Sequence, residues 1–200
     1  MDAKRTSQVM TKQRGFTLIE TMISMTILTI GSVGLLGVFG VAVKASQTAQ
    51  QDLIARQLAS EAMESIYTAR NSSEIQFSQI ANAPNGIFVA GMNSLMCAGP
   101  DGIIDTVDDT SCLTAAGAVC PNGGVECLTE PGPDGIMGTA DDVILSLNNY
   151  QRQIQILPLY DTSGNVIQTL VQVTVTIQYT VPGSSTPKTY VLNEYVSAYH

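Results

Sequence analysis

Lys12-Gln13-Arg14-Gly15-Phe16-Thr17-Leu18-Ile19-Glu20-Thr21-Met22-Ile23-Ser24-Met25-Thr26-Ile27-Leu28-Thr29-Ile30 leads into an apolar run from Phe16 to Val43, in which Glu20 is the one ionisable side chain. About 28 residues would make a helix of roughly 42 Å at 1.5 Å per residue, enough to cross the hydrocarbon of a bilayer. The hydroxyls at 17, 21, 24, 26, 29 and 32 fit such a span because each can bond back to a helix carbonyl. A cleaved secretory signal competes with this reading, with Val43 and Ala45 as its small residues. The run is far longer than the usual apolar core of about 7–15 residues, and Lys44 would fall inside the cleavage motif.

Charge is distributed unevenly around that run. Lys4, Arg5, Lys12 and Arg14 against Asp2 give the stretch before Phe16 a charge of +3, so the rest carries −11 of the −8 total. A basic tip before a long apolar segment stays in the cytoplasm, which sends the acidic remainder outward. With 44% apolar and 13% charged residues in a 200-residue chain, the remainder is long enough to fold around a core. Its basic residues, Lys44, Arg56, Arg70, Arg152 and Lys188, are scattered, which argues against binding nucleic acid through phosphates.

Glu20 is costly near the start of a membrane helix unless it is neutralised or paired. The block Lys12 to Glu20 resembles the processing site of type IV prepilins and type II secretion pseudopilins at every position that defines the motif. The resemblance implies that a prepilin peptidase cuts after Gly15 and that the new N-terminal Phe16 is methylated. Glu20 then becomes the fifth residue of the mature chain, and its carboxylate meets the N-terminal amine of a neighbouring subunit. Two opposite charges attract strongly where the dielectric is low, and either alone is penalised. The implied partners are the peptidase, other major and minor pilins, an inner-membrane assembly platform, and membrane lipid before assembly. The implied location is a bacterial inner membrane, single-pass, with residues 1–15 as a cytoplasmic leader and the head outside, and afterwards a pilus or pseudopilus. Among such families the type IV pilus modification proteins of the PilV class are most similar, from the stretch Ile30-Gly31 to Leu35-Leu36-Gly37 and the head size.

Gly31, Gly34, Gly37 and Gly40 each cost about 1 kcal/mol relative to Ala in a helix interior and mark where the helix bends most easily. Their spacing of three does not match the close-packing motif of membrane helices. From 44 to 70 there is no Pro or Gly, and Ile54, Leu58, Ala62 and Ile66 recur every four residues. The helix is therefore expected to continue as an amphipathic half, with Gln50, Asp52, Arg56 and Glu64 on the wet side.

Residues 71–200 are expected to form the head, with its sheet over 153–199. Val171, Val173, Val175, Ile177, Tyr179 and Val181 alternate with polar residues as a half-buried strand does. A shorter strand around Ile154–Tyr160 precedes it through the turn Asp161-Thr162-Ser163-Gly164-Asn165, and a last one near 189–198 follows Pro182-Gly183-Ser184-Ser185. The expected fold class is α+β, a pilin fold whose long N-terminal helix packs on a small antiparallel sheet of three strands.

Residues 96–147 read as an insert of loop composition. It holds Cys97, Cys112, Cys120 and Cys127, which in an exported head read as two disulfides with three possible pairings. Pairing Cys97 with Cys112 and Cys120 with Cys127 is the expectation, because each closes a short local loop. A zinc site is the rival, but no Cys-x-x-Cys occurs and the one histidine is His200. The insert also repeats itself, Gly99-Pro100-Asp101-Gly102-Ile103-Ile104-Asp105-Thr106-Val107-Asp108-Asp109 against Gly132-Pro133-Asp134-Gly135-Ile136-Met137-Gly138-Thr139-Ala140-Asp141-Asp142. Asp101, Asp105, Asp108, Asp109, Asp134, Asp141 and Asp142 on glycine-rich turns are candidate calcium ligands, although the spacing is not that of an EF-hand. The repeat is similar to Asp-rich loops that hold calcium in some pseudopilins. The alternative is two solvated turns whose Asp and Gly serve backbone geometry.

Three functions follow. The leading one is a processed minor subunit of a type IV pilus or of its initiating or tip complex, with a type II secretion minor pseudopilin beside it. The second is a membrane-anchored, calcium-dependent binding module. An enzyme is disfavoured, because no nucleophile stands beside a base and the usual acyl-transfer constellations cannot be assembled.

Overall fold

A computed structural model describes residues 15–112, 120, 124–181 and 183–199. Of the expected leader, residues 1–15, all but Gly15 lie outside them. The chain divides into two compact units, Met1–Ser46 and Gln47–His200.

Helix α1 spans Leu18–Asn71 and runs through both. Within the first unit it is long and apolar enough to cross a membrane, and none of its apolar window is buried inside the protein. The hydroxyls of Thr21, Ser24, Thr26 and Thr29 donate to the carbonyls of Leu18, Glu20, Met22 and Met25 at 2.6–2.9 Å. Those polar groups are thus satisfied within the helix, as a bilayer requires.

In the second unit α1 buries Ala55, Leu58, Ala59, Ala62, Met63, Ile66 and Ala69. These positions recur at three and four residues, one face of a 3.6-residue helix. Four of the seven are alanine. The sheet consists of β1 (Asn93–Ser94), β4 (Tyr150–Tyr160), β5 (Val166–Tyr179) and β6 (Lys188–Ser197), in the order β1-β4-β5-β6. The three expected strands are present but longer at their starts, and the two-residue β1 makes a fourth. Val173, Val175, Ile177 and Tyr179 of β5 point into the core with Ile154 and Ile156 of β4, the alternation that set the register.

Residues 96–147 are not a uniform loop. They carry a separate two-stranded sheet of β2 (Cys127–Glu130) and β3 (Val143–Ser146), paired antiparallel. They also supply Ile103, Ile104 and Leu147 to the hydrophobic core. Disulfides join Cys97 to Cys112 and Cys120 to Cys127.

The outer edge of β4 is covered in two ways. Asn93 and Ser94 of β1 pair with Arg152 and Gln151. Further along, the carboxamide of Asn82 donates to Ile154 O at 2.7 Å and accepts from Ile156 N at 2.8 Å. A single side chain thus imitates a neighbouring strand. At the end of β6, Tyr67 OH and Arg70 Nη1 of α1 donate to the carbonyls of Tyr195 and Ser197 at 3.0 and 2.6 Å. At the other end of the sheet the rings of Tyr150 and Tyr179 stack 5.5 Å apart, and Tyr179 OH donates to Asp52 of α1 at 2.7 Å. Burial and the Asp52 carboxylate push the Tyr179 hydroxyl up to about 12, while that hydroxyl, ahead of Lys188, holds Asp52 below its usual range.

Candidate functional site

Gly15, Phe16 and Thr17 lead directly into α1. The Thr17 carbonyl accepts the amides of Glu20 and Thr21 at 3.1 and 3.2 Å, which closes the first turn and fixes Glu20 within it. A carboxylate there sits beside unpaired backbone amides, where a negative charge is favoured. Glu20 makes no ion pair among the described residues. Phe16 and every side chain from there to Val43 are exposed. This apolar surface has no partner among the described residues and is suited to lipid or other subunits. At Gly31, Gly34, Gly37 and Gly40 an added Cβ would meet nothing within 4 Å, so packing inside this chain does not require them.

The acidic repeat forms two turns with the same internal hydrogen bonds. Asp101 Oδ1 accepts from Ile103 N at 2.9 Å, and Asp134 Oδ1 from Ile136 N at 2.8 Å. Asp109 Oδ2 accepts from Asp105 N and Asp142 Oδ2 from Gly138 N, both at 2.7 Å. The hydroxyls of Thr106 and Thr139 donate to Asp108 and Asp141 at 2.7 and 2.6 Å, and these bonds hold both carboxyls below their usual range. The carboxylates are thereby engaged by their own turns. Among the described residues no group of three or more His, Cys, Asp or Glu side chains is arranged to hold a metal ion.

The turns differ in what surrounds them. Ile103, Ile104, Asp105 and Thr106 of the first are buried, whereas Ile136 and Met137 of the second are exposed. Asp105, at φ 61°, meets Arg152 Nε at 2.8 Å, and both side chains are buried. The second turn has Gly138 at the equivalent position and no such ion pair. Nη1 and Nη2 of Arg152 have no hydrogen-bond partner among the described residues. Nearby, burial and then the Glu61 charge push Glu126 up to about 7, against a weaker opposing pull from Arg152.

Sequence reasoning singled out Gly15, Phe16, Glu20, the aspartates and the cysteines, of which the structure pairs the cysteines as expected, and it gave no role to Arg152, Glu126 or Asn82. One signal was available for Arg152, which shares strand parity with the inward Ile154 and Ile156. None marked Glu126 or Asn82.

Compared with known families, residues 10–36 match the prokaryotic N-terminal methylation motif. The match supports the type IV prepilin and pseudopilin family in general, a structural rather than enzymatic one, and implies processing by a prepilin peptidase and assembly with other pilins. With the apolar helix it indicates membrane anchoring. Neither the curated proteins nor the solved structures contain a match.

Proposed function

We propose that this chain is the precursor of a minor pilin, cut between Gly15 and Phe16, methylated on the new Phe16 amine, and assembled into a type IV pilus or its initiating or tip complex. The head lies outside the inner membrane and the leader in the cytoplasm. The observation that carries this reading is the methylation motif over 10–36, set so that Glu20 falls in the first turn of an unpartnered apolar helix. Cleavage creates a positive amine four residues before Glu20. Within one chain the two cannot serve every subunit boundary, but amine and carboxylate of successive subunits neutralise each other in a low-dielectric bundle. The minor role follows from the head, since a loop-rich acidic segment would burden a subunit repeated many times. The PilV-class proteins are the nearest resemblance, and a type II secretion pseudopilus is the other assembly that the same N-terminus serves.

Mass spectrometry of the mature protein tests the reading. It expects a chain that begins at methylated Phe16, and a start at Met1 or Ser46 would refute it. Glu20→Gln should leave cleavage intact and remove the subunit from sheared filaments.

A further inference from the structure

We propose that the second acidic turn, residues 132–142, is a docking tip that enters a basic groove on the head of a second copy of this chain. The two turns share their hydrogen bonds, but only the first uses its apolar pair inside the molecule. Ile136 and Met137, equivalent to the buried Ile103 and Ile104, are 60% and 57% exposed. A turn that is closed by its own bonds and still presents two large apolar side chains to water is a surface built for a partner.

The charge around that tip selects the partner. No Lys, Arg or His lies between Arg70 and Arg152, and Asp134, Asp141 and Asp142 surround the exposed pair. The complementary site is on the same chain. Of the basic residues that the structure describes, Arg56 and Lys188 line one groove of about 390 Å³ with Asp52, Tyr179 and Tyr190. Arg56 lies over the Tyr190 ring at 5.7 Å. The Lys188–Asp52 ion pair at 3.2 Å is half in solvent, and such pairs contribute little, so Lys188 can exchange partners.

Topology makes the contact repeatable. The β2–β3 hairpin joins the head beside β1, through Glu126 N to Leu95 O at 2.9 Å, and touches α1 through Gln50 Nε2 to Glu130 Oε1 at 3.2 Å. The groove lies at β6, the other edge of the four-stranded sheet, and on the other flank of α1 at nearly the same level, Asp52 and Arg56. Copies side by side with α1 pointing the same way therefore bring the tip of one to the groove of the next. Tip and groove are different patches, so the contact is heterologous and does not close a symmetric dimer. Two consecutive copies suffice to make it, which a minor subunit can provide. The parallel alignment rests on the filament reading above.

The test places photoreactive p-benzoylphenylalanine at position 137 of the full chain in cells that process it. The expected product is an adduct of two chains whose cross-linked peptide maps to residues 51–57 or 187–192. Arg56→Gln with Lys188→Gln should cut its yield about tenfold, and Ile136→Asp, at an exposed site that leaves the fold intact, should do the same. An adduct only with another polypeptide, an adduct elsewhere on this chain, no adduct, or a yield indifferent to these substitutions would each overturn the contact. Phe16 methylation is read from the same samples. Methylation without the adduct defeats the docking proposal alone, and the adduct without methylation defeats the filament reading alone.

Discussion

Arg152 of β4 and Asp105 of the first acidic turn form a buried ion pair, Nε to Oδ2 at 2.8 Å, that ties the 96–147 region to the main sheet. Asp105→Asn keeps the shape and the tolerance for positive φ but leaves the guanidinium charge uncompensated. Breaking such a pair from one side costs about 3–5 kcal/mol. Chemical denaturation of the full chain in detergent checks this, and a loss below about 1 kcal/mol would mean that the pair is neutralised in another way.

Glu126 makes the head sensitive to pH near neutrality. Its carboxyl is raised to about 7 from an ordinary 4.5, so between those values the folded head holds a proton that the unfolded chain releases. The contribution is complete below about 4.5 and is lost as pH rises through about 7. The groups facing it are Glu61 of α1, Arg152 of β4, and Asp105 and Asp109 of the first turn. Stability should fall by on the order of 2 kcal/mol between pH 5 and 8, and Glu126→Gln should flatten that part of the profile.

Gly99 and Gly132 offer the same substitution in two settings. A Cβ at Gly99 would overlap Asp108, and one at Gly132 would overlap Asp141. Gly99→Ala must displace a turn whose neighbours are buried, so it should lower the melting temperature of the head. Gly132→Ala disturbs only the exposed turn and should leave the melting nearly unchanged. Equal shifts from both would contradict the difference in packing.

Asn82→Ala removes the side chain that completes the edge of β4. It strands the carbonyl of Ile154 and the amide of Ile156, at a cost of about 1–3 kcal/mol for groups left unsatisfied. Hydrogen exchange reads this directly: the Ile156 amide should lose protection while Val175, in the middle of the sheet, keeps it.

Calcium is tested by melting the full chain with the ion and with a chelator. A carboxylate oxygen that accepts an amide or hydroxyl keeps a further lone pair for a cation, so the hydrogen bonds within the turns leave them able to bind it. A calcium-dependent rise that disappears in Asp141→Ala with Asp142→Ala makes the second turn a cation site, and the same melting curve with ion and with chelator ends that proposal.

The long helix was legible because its cues are local: an unbroken apolar run, then apolar residues every three or four positions without Pro or Gly. The strand from 171 onward was legible for the same reason. Its start at Val166, like the start of β4 at Tyr150, was not, since Gln151, Arg152 and Gln153 look like surface residues and only the buried Asp105 explains the arginine. The repeat is the plainest case. Ile103-Ile104 and Ile136-Met137 occupy the same place in the same motif, yet one pair is core and the other surface, because burial depends on what the rest of the chain brings alongside. The β2–β3 hairpin was hidden because Pro131, Gly132 and Pro133 interrupt any period at its turn.

In the filament proposed above, each chain would stand among many like it and run a standing risk of amyloid-type growth, in which one sheet extends into the next without limit. With Asn82 seated on β4 and with Tyr67 and Arg70 holding two carbonyls at the end of β6, part of the sheet's exposed backbone is withheld from such stacking. Side chains are then left to dictate the order of the polymer, and its architecture can be edited by point mutation without turning the subunit into a fibre seed.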